Sequence, residues 1–188
     1  MSKREKLLQL QQQIIHCQRC PLYATATHAV PGEGAVNAAI MFVGEAPGRT
    51  EDETGRPFVG RAGKLLTQLL TSIGIAREAV FITSVIKHRP PKNRPPKPAE
   101  IVACKHWLDE QLTIIAPKII VPLGRFGMEH FLPNQTITAV HGRLIQQKKY
   151  AVFPVYHPAY GLRGTRALAA LKDDFQKLKR VLLEYKIN

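Results

Sequence analysis

The stretch VGEAPGRTEDETGRPFVGRAGKLL, from Val43 to Leu66, decides how the chain is organised. It starts at the end of the apolar run AAIMFV, which predicts a short buried strand. It then passes through closely spaced glycines and prolines into a segment whose apolar residues recur at helical spacing. Phe58 stands in the middle of the stiff loop, between Pro57 and Val59. A large apolar side chain there belongs either to the core or to the wall of a binding site.

The rest of the chain alternates between helix and strand patterns. Ser2 and Glu5 form a capping-box pattern that begins a first helix. Apolar runs predict three further strands, AVFITSVI (79–86), KIIVPLG (118–124) and AVFPVYHP (151–158), and helices are predicted over about 62–73, 98–115 and 165–185. The order predicts an α/β fold: one domain over residues 1–188, with a mainly parallel four-stranded sheet and helices on both faces.

Composition and charge narrow the class of protein. The 188 residues include 27 Lys and Arg against 14 Asp and Glu, a formal net charge of +13. Such a basic domain is typical of proteins that bind nucleic acid, although generic basicity is the alternative. The sequence has no run long and apolar enough to cross a bilayer, and the N-terminus has no apolar signal core. We therefore expect a cytoplasmic monomer with no membrane partner and no obligatory protein partner.

The predicted strands end in residues that can do chemistry. In a parallel sheet, ligands bind outside the carboxyl ends of the strands. The first strand ends at Gly44 and Glu45, the second at Ser84, the third at PLGRFG, and the fourth at Tyr156 and His157. The second leads into KHRPPKNRPPKPAE (87–100), which predicts a stiff, exposed basic loop. A carboxylate, a histidine and an aromatic side chain are thus predicted to meet in one pocket with a basic rim.

The cysteines indicate a metal or redox site. There are three, Cys17, Cys20 and Cys104, and an odd number in a chain without a signal segment argues against a disulfide framework. The C-x-x-C spacing of Cys17 and Cys20 suits a metal ion, an iron–sulfur cluster or a redox dithiol.

Several motifs together carry a resemblance to a known family. GEAPGRTEDETGRPFVGRAGKLL, KHRPPKNRPPKPAEIVAC, IAPKIIVPLG and HPAYGLRG, together with CQRCP, resemble family 4 uracil-DNA glycosylases, the thermostable iron–sulfur type. The resemblance implies an enzyme that hydrolyses the N-glycosidic bond of uracil in DNA and starts base-excision repair. No lysine is implied as a Schiff-base nucleophile, and uracil-containing DNA is the implied partner.

The resemblance also assigns roles to individual residues. Glu45 would position the attacking water, and His157 would donate a hydrogen bond to a uracil carbonyl. Phe58 would stack on the extruded base, in a pocket completed by Gly44, Ala46 and Ser84. Leu162 would act as a wedge in the duplex with Arg163 near a phosphate. The basic loop would add phosphate contacts from Arg89, Lys92 and Arg94. Without the motifs, Glu45 as a capping carboxylate and Phe58 as a core residue would be the simpler interpretations.

Ser84 departs from the family pattern. The family has asparagine at this position, where an amide offers the uracil edge both a donor and an acceptor, whereas serine offers one hydroxyl. The resemblance therefore does not fix the selectivity of this protein for uracil, or its activity. The alternatives are a glycosylase of altered base specificity and a non-catalytic protein that binds uracil-containing or single-stranded DNA. A redox iron–sulfur protein is a further alternative.

His88 is the second departure. The family holds a 4Fe-4S cluster with four cysteines; Cys17, Cys20 and Cys104 match three of them, and His88 stands at the fourth position. Because a neutral imidazole can ligate iron, we expect these four residues to hold one cluster. The rivals are a free surface His88 with a three-iron cluster or none, or substitution by His16 or His106. A related branch that binds uracil-DNA covalently also has histidine here, but its second, reactive histidine has no counterpart in 89–100, so that activity is not expected.

Overall fold

The sheet has six strands, and the four predicted from the sequence are its parallel members. The computed structural model describes residues 1–187. The strands are β1 (Glu33–Gly34), β2 (Ile40–Gly44), β3 (Phe81–Ser84), β4 (Ile119–Pro122), β5 (Ile145–Gln146) and β6 (Ala151–Val152), in the order β1-β3-β2-β4-β6-β5. β3, β2, β4 and β6 are parallel, and β1 and β5 pair antiparallel at the two edges. The α/β fold is confirmed, but the strand count of four was too low because the two-residue edge strands carry no apolar run.

Eight helices connect and cover the strands within residues 1–187. They are α1 (Lys3–Ile15), α2 (Arg49–Thr54), α3 (Arg61–Ser72), α4 (Pro98–Ile115), α5 (Gly124–Glu129), α6 (Ile137–Val140), α7 (Pro158–Gly161) and α8 (Thr165–Glu184). The four long helices are the predicted ones, and the Ser2–Glu5 capping box is present. The four short helices lie in loops that follow strands. None of the helices described has the length and apolarity that a bilayer crossing needs.

Alternation along the central strand gives the sheet two apolar faces. Ile40 and Phe42 of β2 point to one side, where they pack in a core with residues of α3 and α8. The Phe42 ring stacks on Phe175 of α8 with ring centroids 6.2 Å apart. Met41 and Val43 point to the other side, towards residues of α1, α4 and α5. Helices on both faces, as predicted, leave the carboxyl ends of the strands as the open edge.

The segment after β3 departs from the prediction of an exposed loop. Lys87 and His88 are 0% and 5% exposed, and Glu100 is also buried, although Lys92 in between is exposed. Buried charged groups require partners. The Lys87 amine donates to Thr83 Oγ1, Ser84 O and Gln111 Oε1 at 2.7, 2.7 and 2.8 Å. The exposed basic loop is therefore shorter than predicted, and His88 is not a surface residue.

Candidate functional site

The loops at the carboxyl ends of the parallel strands enclose one large cavity. This strand-end cavity has a volume of about 1070 Å³. Glu45, Ala46, Phe58, Ser84 and His157 all line it, so one site gathers five of the six predicted catalytic and base-binding residues. The sixth, Gly44, lies directly behind Phe58: a Cβ at position 44 would come 2.4 Å from the Phe58 ring. Glycine at this position therefore lets the ring settle against the end of β2.

A carboxylate that the sequence did not single out fixes the turn carrying Phe58. Glu51 Oε1, on α2, accepts hydrogen bonds from the backbone N–H groups of Val59 at 2.9 Å and Gly60 at 2.8 Å. Gly60 is the N-cap of α3 and has no side chain to form a cap, and Glu51 instead accepts from the two backbone N–H groups that lead into the helix. Arg77 holds the other side of the turn by donating to Pro57 O at 2.6 Å.

These contacts hold Phe58 in an uncommon conformation. Its φ is +50°, in the left-handed region that large side chains rarely adopt. The backbone of Phe58 also lies against Gly63 so closely that a Cβ there would come 1.9 Å from its carbonyl. Phe58 is 8% exposed and belongs both to the edge of the core and to the cavity wall. The two interpretations offered by the sequence are thus compatible.

Glu45 is a half-buried carboxylate at the end of β2. Burial raises the pKa of Glu45, Arg125 opposes this shift, and Glu129 adds to it. Its backbone is fixed, since the Glu45 carbonyl accepts a hydrogen bond from Ile86 N at 3.0 Å. A side chain held in this way can orient a water molecule and take up a proton.

His157 faces the cavity as a neutral imidazole. Burial lowers the pKa of His157 to about 4, with a weaker opposing effect from Glu51. The N–H of Ala159 donates to His157 Nδ1 at 3.1 Å, so Nδ1 acts as an acceptor and the ring proton resides on Nε2. The ring centroid lies 5.8 Å from that of Phe58. The site therefore combines a neutral hydrogen-bond donor with an aromatic face.

Some of the side chains predicted to contact DNA are bonded within the protein, and others are exposed. Arg89 donates to Asn93 Oδ1 at 2.7 Å, and Arg94 makes a two-pronged pair with Glu100 at 2.6 and 2.9 Å. These two cations thus brace the loop, whereas Lys92 is exposed. Leu162 follows α7 and is 43% exposed, and Arg163 beside it lines the cavity.

Sequence reasoning missed several residues of the cavity wall. Besides Glu51, these are three arginines and one tyrosine: Arg49, Arg61, Arg125 and Tyr160. Arg49 and Arg61 stand inside the glycine-rich stretch and Tyr160 follows His157 closely, so closeness to those motifs was a usable signal. Tyr156, predicted at the end of the fourth strand, does line the cavity. Arg125 follows β4, whose carboxyl end lies at the same edge as those of β2 and β3.

The three cysteines lie together in a separate apolar cluster between α1 and α4. Cys104 is buried, and Cys17 and Cys20 pack against the same group of side chains. Burial raises the pKa of the Cys104 thiol to about 11, and Lys87 partly opposes this. Trp107 Nε1 donates to Cys17 Sγ at 3.2 Å, and Lys87 N donates to Cys104 Sγ at 3.3 Å.

The groups around the cysteines are of the kinds that iron–sulfur sites use. Two of the sulfurs accept hydrogen bonds from N–H groups, as ligating sulfurs usually do. Within residues 1–187, no three or more His, Cys, Asp or Glu side chains are arranged to hold one metal ion. His88 and Cys17 line a second cavity of about 420 Å³ next to this cluster of cysteines. The donor set therefore suits iron and sulfide.

Comparison with known proteins agrees with the geometry. The family model described as "Uracil DNA glycosylase superfamily" matches residues 31–183. The chain is 46% identical to a type-4 uracil-DNA glycosylase of Sulfurisphaera tokodaii, over 95% of this chain and 86% of the relative. It is 44% identical to a type-4 enzyme of Thermotoga maritima, over 98% and 93%. A type-5 uracil-DNA glycosylase of Pyrobaculum aerophilum is 29% identical over 78% and 79%. The chain belongs to the uracil-DNA glycosylase superfamily.

Proposed function

We propose that this protein removes uracil from DNA by hydrolysing the bond between the base and the sugar. The observation that carries the proposal is the convergence of Glu45, Phe58, Ser84 and His157 on one cavity at the carboxyl ends of the parallel strands. Each type-4 relative named above is described as a uracil-DNA glycosylase, and this chain covers most of its length. The products are free uracil and DNA with an abasic site, with which base-excision repair begins.

Glu45 acts on the water. Water adds to C1′ of the deoxyribose while the C1′–N1 bond breaks, and the bonding electron pair leaves with N1 of uracil. The ionised Glu45 orients the water and accepts its proton, and its negative charge offsets the positive charge that develops on the sugar. Because burial raises the pKa of Glu45, the carboxylate is a stronger base than an exposed glutamate.

His157 acts on the leaving base. The electron pair that uracil receives is shared with its carbonyl oxygens. The Nε2–H of a neutral His157 donates to one of these oxygens and so stabilises the departing anion. An imidazole with a pKa of about 4 does so without first having to lose a proton at neutral pH.

Phe58 and Ser84 hold the base. Phe58 offers an aromatic face to an extruded uracil, and its turn is already fixed before DNA binds. Ser84 is held at the end of β3 because its carbonyl accepts the Lys87 amine. Its hydroxyl offers one hydrogen bond to the edge of the base.

Cations around the cavity bind the DNA backbone. Arg49, Arg61, Arg125 and Arg163 stand at the cavity wall. Phosphate contacts from such a rim, together with Lys92, supply affinity that does not depend on sequence, and Leu162 fills the space that the base vacates. Arg94 also stands at the cavity wall, and its pair with Glu100, like the hydrogen bond from Arg89 to Asn93, keeps the loop in shape.

Residues 1–188 act as one domain and as a monomer in the cytoplasm.

Cys17, Cys20, His88 and Cys104 hold a 4Fe-4S cluster. The supporting observations are the shared location of the three cysteines, the N–H donors to Cys17 and Cys104, and the buried His88. When bound, the cluster cross-links the segment after α1, the segment after β3 and α4. Since the cysteines lie in a cluster of their own outside the strand-end cavity, no step of the reaction passes through it.

The catalytic assignment predicts the effect of two substitutions. Glu45→Gln and His157→Ala are each expected to slow uracil release by roughly a hundredfold or more. The measurement is single-turnover release of uracil from a uracil-containing oligonucleotide, with Glu184→Gln at the exposed end of α8 as control. For the unsubstituted protein, the rate should fall as the pH drops through the raised pKa of Glu45, and Glu45→Gln should remove this dependence. Wild-type rates in both variants would show that the reaction occurs elsewhere, and binding without any release would favour the non-catalytic alternative.

Altered base specificity is a second candidate, favoured by the single hydroxyl at Ser84. If Ser84 limits recognition, Ser84→Asn should raise the preference for uracil over hypoxanthine about tenfold, because an amide matches a donor and an acceptor at once. Competition between the two substrates measures this ratio. An unchanged ratio would mean that position 84 does not read the base.

The ligand set predicts how the metal content responds to substitution. After anaerobic purification, His88→Ala should lose iron or the whole cluster, seen in iron and sulfide counts and in the visible thiolate-to-iron absorbance. His88→Cys should restore four irons, because it recreates four thiolates. His16→Ala and His106→Ala serve as matched controls. Four irons in His88→Ala would remove this residue from the ligand set.

A further inference from the structure

Three aromatic rings form a column beside the strand-end cavity. The ring centroids of His141 and Tyr156 are 4.1 Å apart, and those of Tyr156 and Tyr160 are 4.7 Å apart. The planes are inclined by 37° and 35°, so the rings overlap in a tilted stack. Tyr156 and Tyr160 both line the cavity, yet neither has a part in the reaction described above.

A buried carboxylate anchors the inner end of this column. Asp174 of α8 is fully buried, and its Oδ1 accepts a hydrogen bond from His141 Nδ1 at 2.8 Å. Its Oδ2 accepts a longer one from the backbone N–H of Tyr156 at 3.4 Å. The column is therefore fixed at the residue that precedes His157. A fixed aromatic surface loses little conformational entropy when a ligand stacks on it.

The outer end of the column points to the place where DNA would be distorted. Tyr160 belongs to α7, and the exposed Leu162 and the cavity residue Arg163 come shortly after it in the chain. Tyr160 is half-buried, with Tyr156 behind it. A tyrosine packed on one side and accessible on the other is a stacking surface rather than a core residue.

We propose that Tyr160, supported by Tyr156 and His141, is a second nucleobase subsite. It takes the base adjacent to the extruded uracil on the same DNA strand. When one base leaves the stack, its neighbour loses a stacking partner and exposes a face. Stacking on tyrosine replaces that contact, and it tolerates any sequence because every base has a π face. The inference rests on the proposed function, since it needs an extruded base in the strand-end cavity.

The subsite predicts a loss of binding that depends on the neighbouring base. For a single-stranded oligonucleotide with one uracil, Tyr160→Ala should raise Kd and KM about tenfold and leave kcat little changed. Tyr160→Phe should behave like the unsubstituted protein, because the ring face remains. Tyr185→Ala is the matched control, since this exposed tyrosine lies at the far end of α8.

The decisive arm replaces the neighbour by an abasic spacer, on the 5′ side in one oligonucleotide and on the 3′ side in another. The unsubstituted protein should bind one of these two oligonucleotides more weakly than the oligonucleotide without a spacer. Tyr160→Ala should bind the same two oligonucleotides, with and without that spacer, with equal affinity. If Tyr160→Ala lowers the affinity by the same factor for the oligonucleotide without a spacer and for both oligonucleotides with one, the subsite is overturned and Tyr160 is a structural residue. Because Kd is measured separately from release, a protein that shows this coupling but releases no uracil would refute only the proposed function.

Discussion

The site depends on the hydrogen bonds between the Glu51 carboxylate and the N–H groups of Val59 and Gly60. They fix the two residues that lead into α3, which has no side-chain cap, and they hold Phe58 in the left-handed region. Strain of this kind costs on the order of 1–3 kcal/mol and persists only where the surroundings enforce it. Glu51, Arg77 and the bare Cα of Gly63 enforce it here. The stacking surface therefore exists before any base arrives, and ordering it costs nothing during binding.

The parallel sheet brings the remaining groups to the same place. β2 delivers Glu45, β3 delivers Ser84, and His157 comes after β6, so the register of the four parallel strands sets the distances within the cavity. The buried Lys87 links this edge to the cysteine cluster, because its amine bonds the Ser84 carbonyl and its backbone N–H bonds Cys104 Sγ. The position of Ser84 in the cavity and the position of the cysteines are thus tied together through one residue.

Periodicity and the geometry of parallel strands made much of the fold and of the site predictable from the sequence. The apolar run before Gly44 and the helical spacing after Gly60 predicted a strand, a loop and a helix. Because the carboxyl ends of parallel strands lie at one edge, the sheet predicted that Glu45 and His157 lie close together. Pairs between residues far apart were not predictable. Nothing in the spacing of Glu51 and Gly60 shows that they bond, and two-residue edge strands have too few residues for a pattern. Lys87 looked like part of a basic loop, and only the positions of its partners on β3 and α4 explain its burial.

The most direct test of this account compares Glu51→Ala with Glu51→Gln in single-turnover release of uracil from DNA. Alanine removes the acceptor, so the Phe58 turn should loosen, and release should slow at least tenfold while thermal unfolding shows that the protein remains folded. Glutamine keeps an oxygen that can accept both N–H groups, and it should retain most of the rate. Release at the wild-type rate by Glu51→Ala, or equal losses in the two variants, would contradict the claim that hydrogen bonding by Glu51 organises the site.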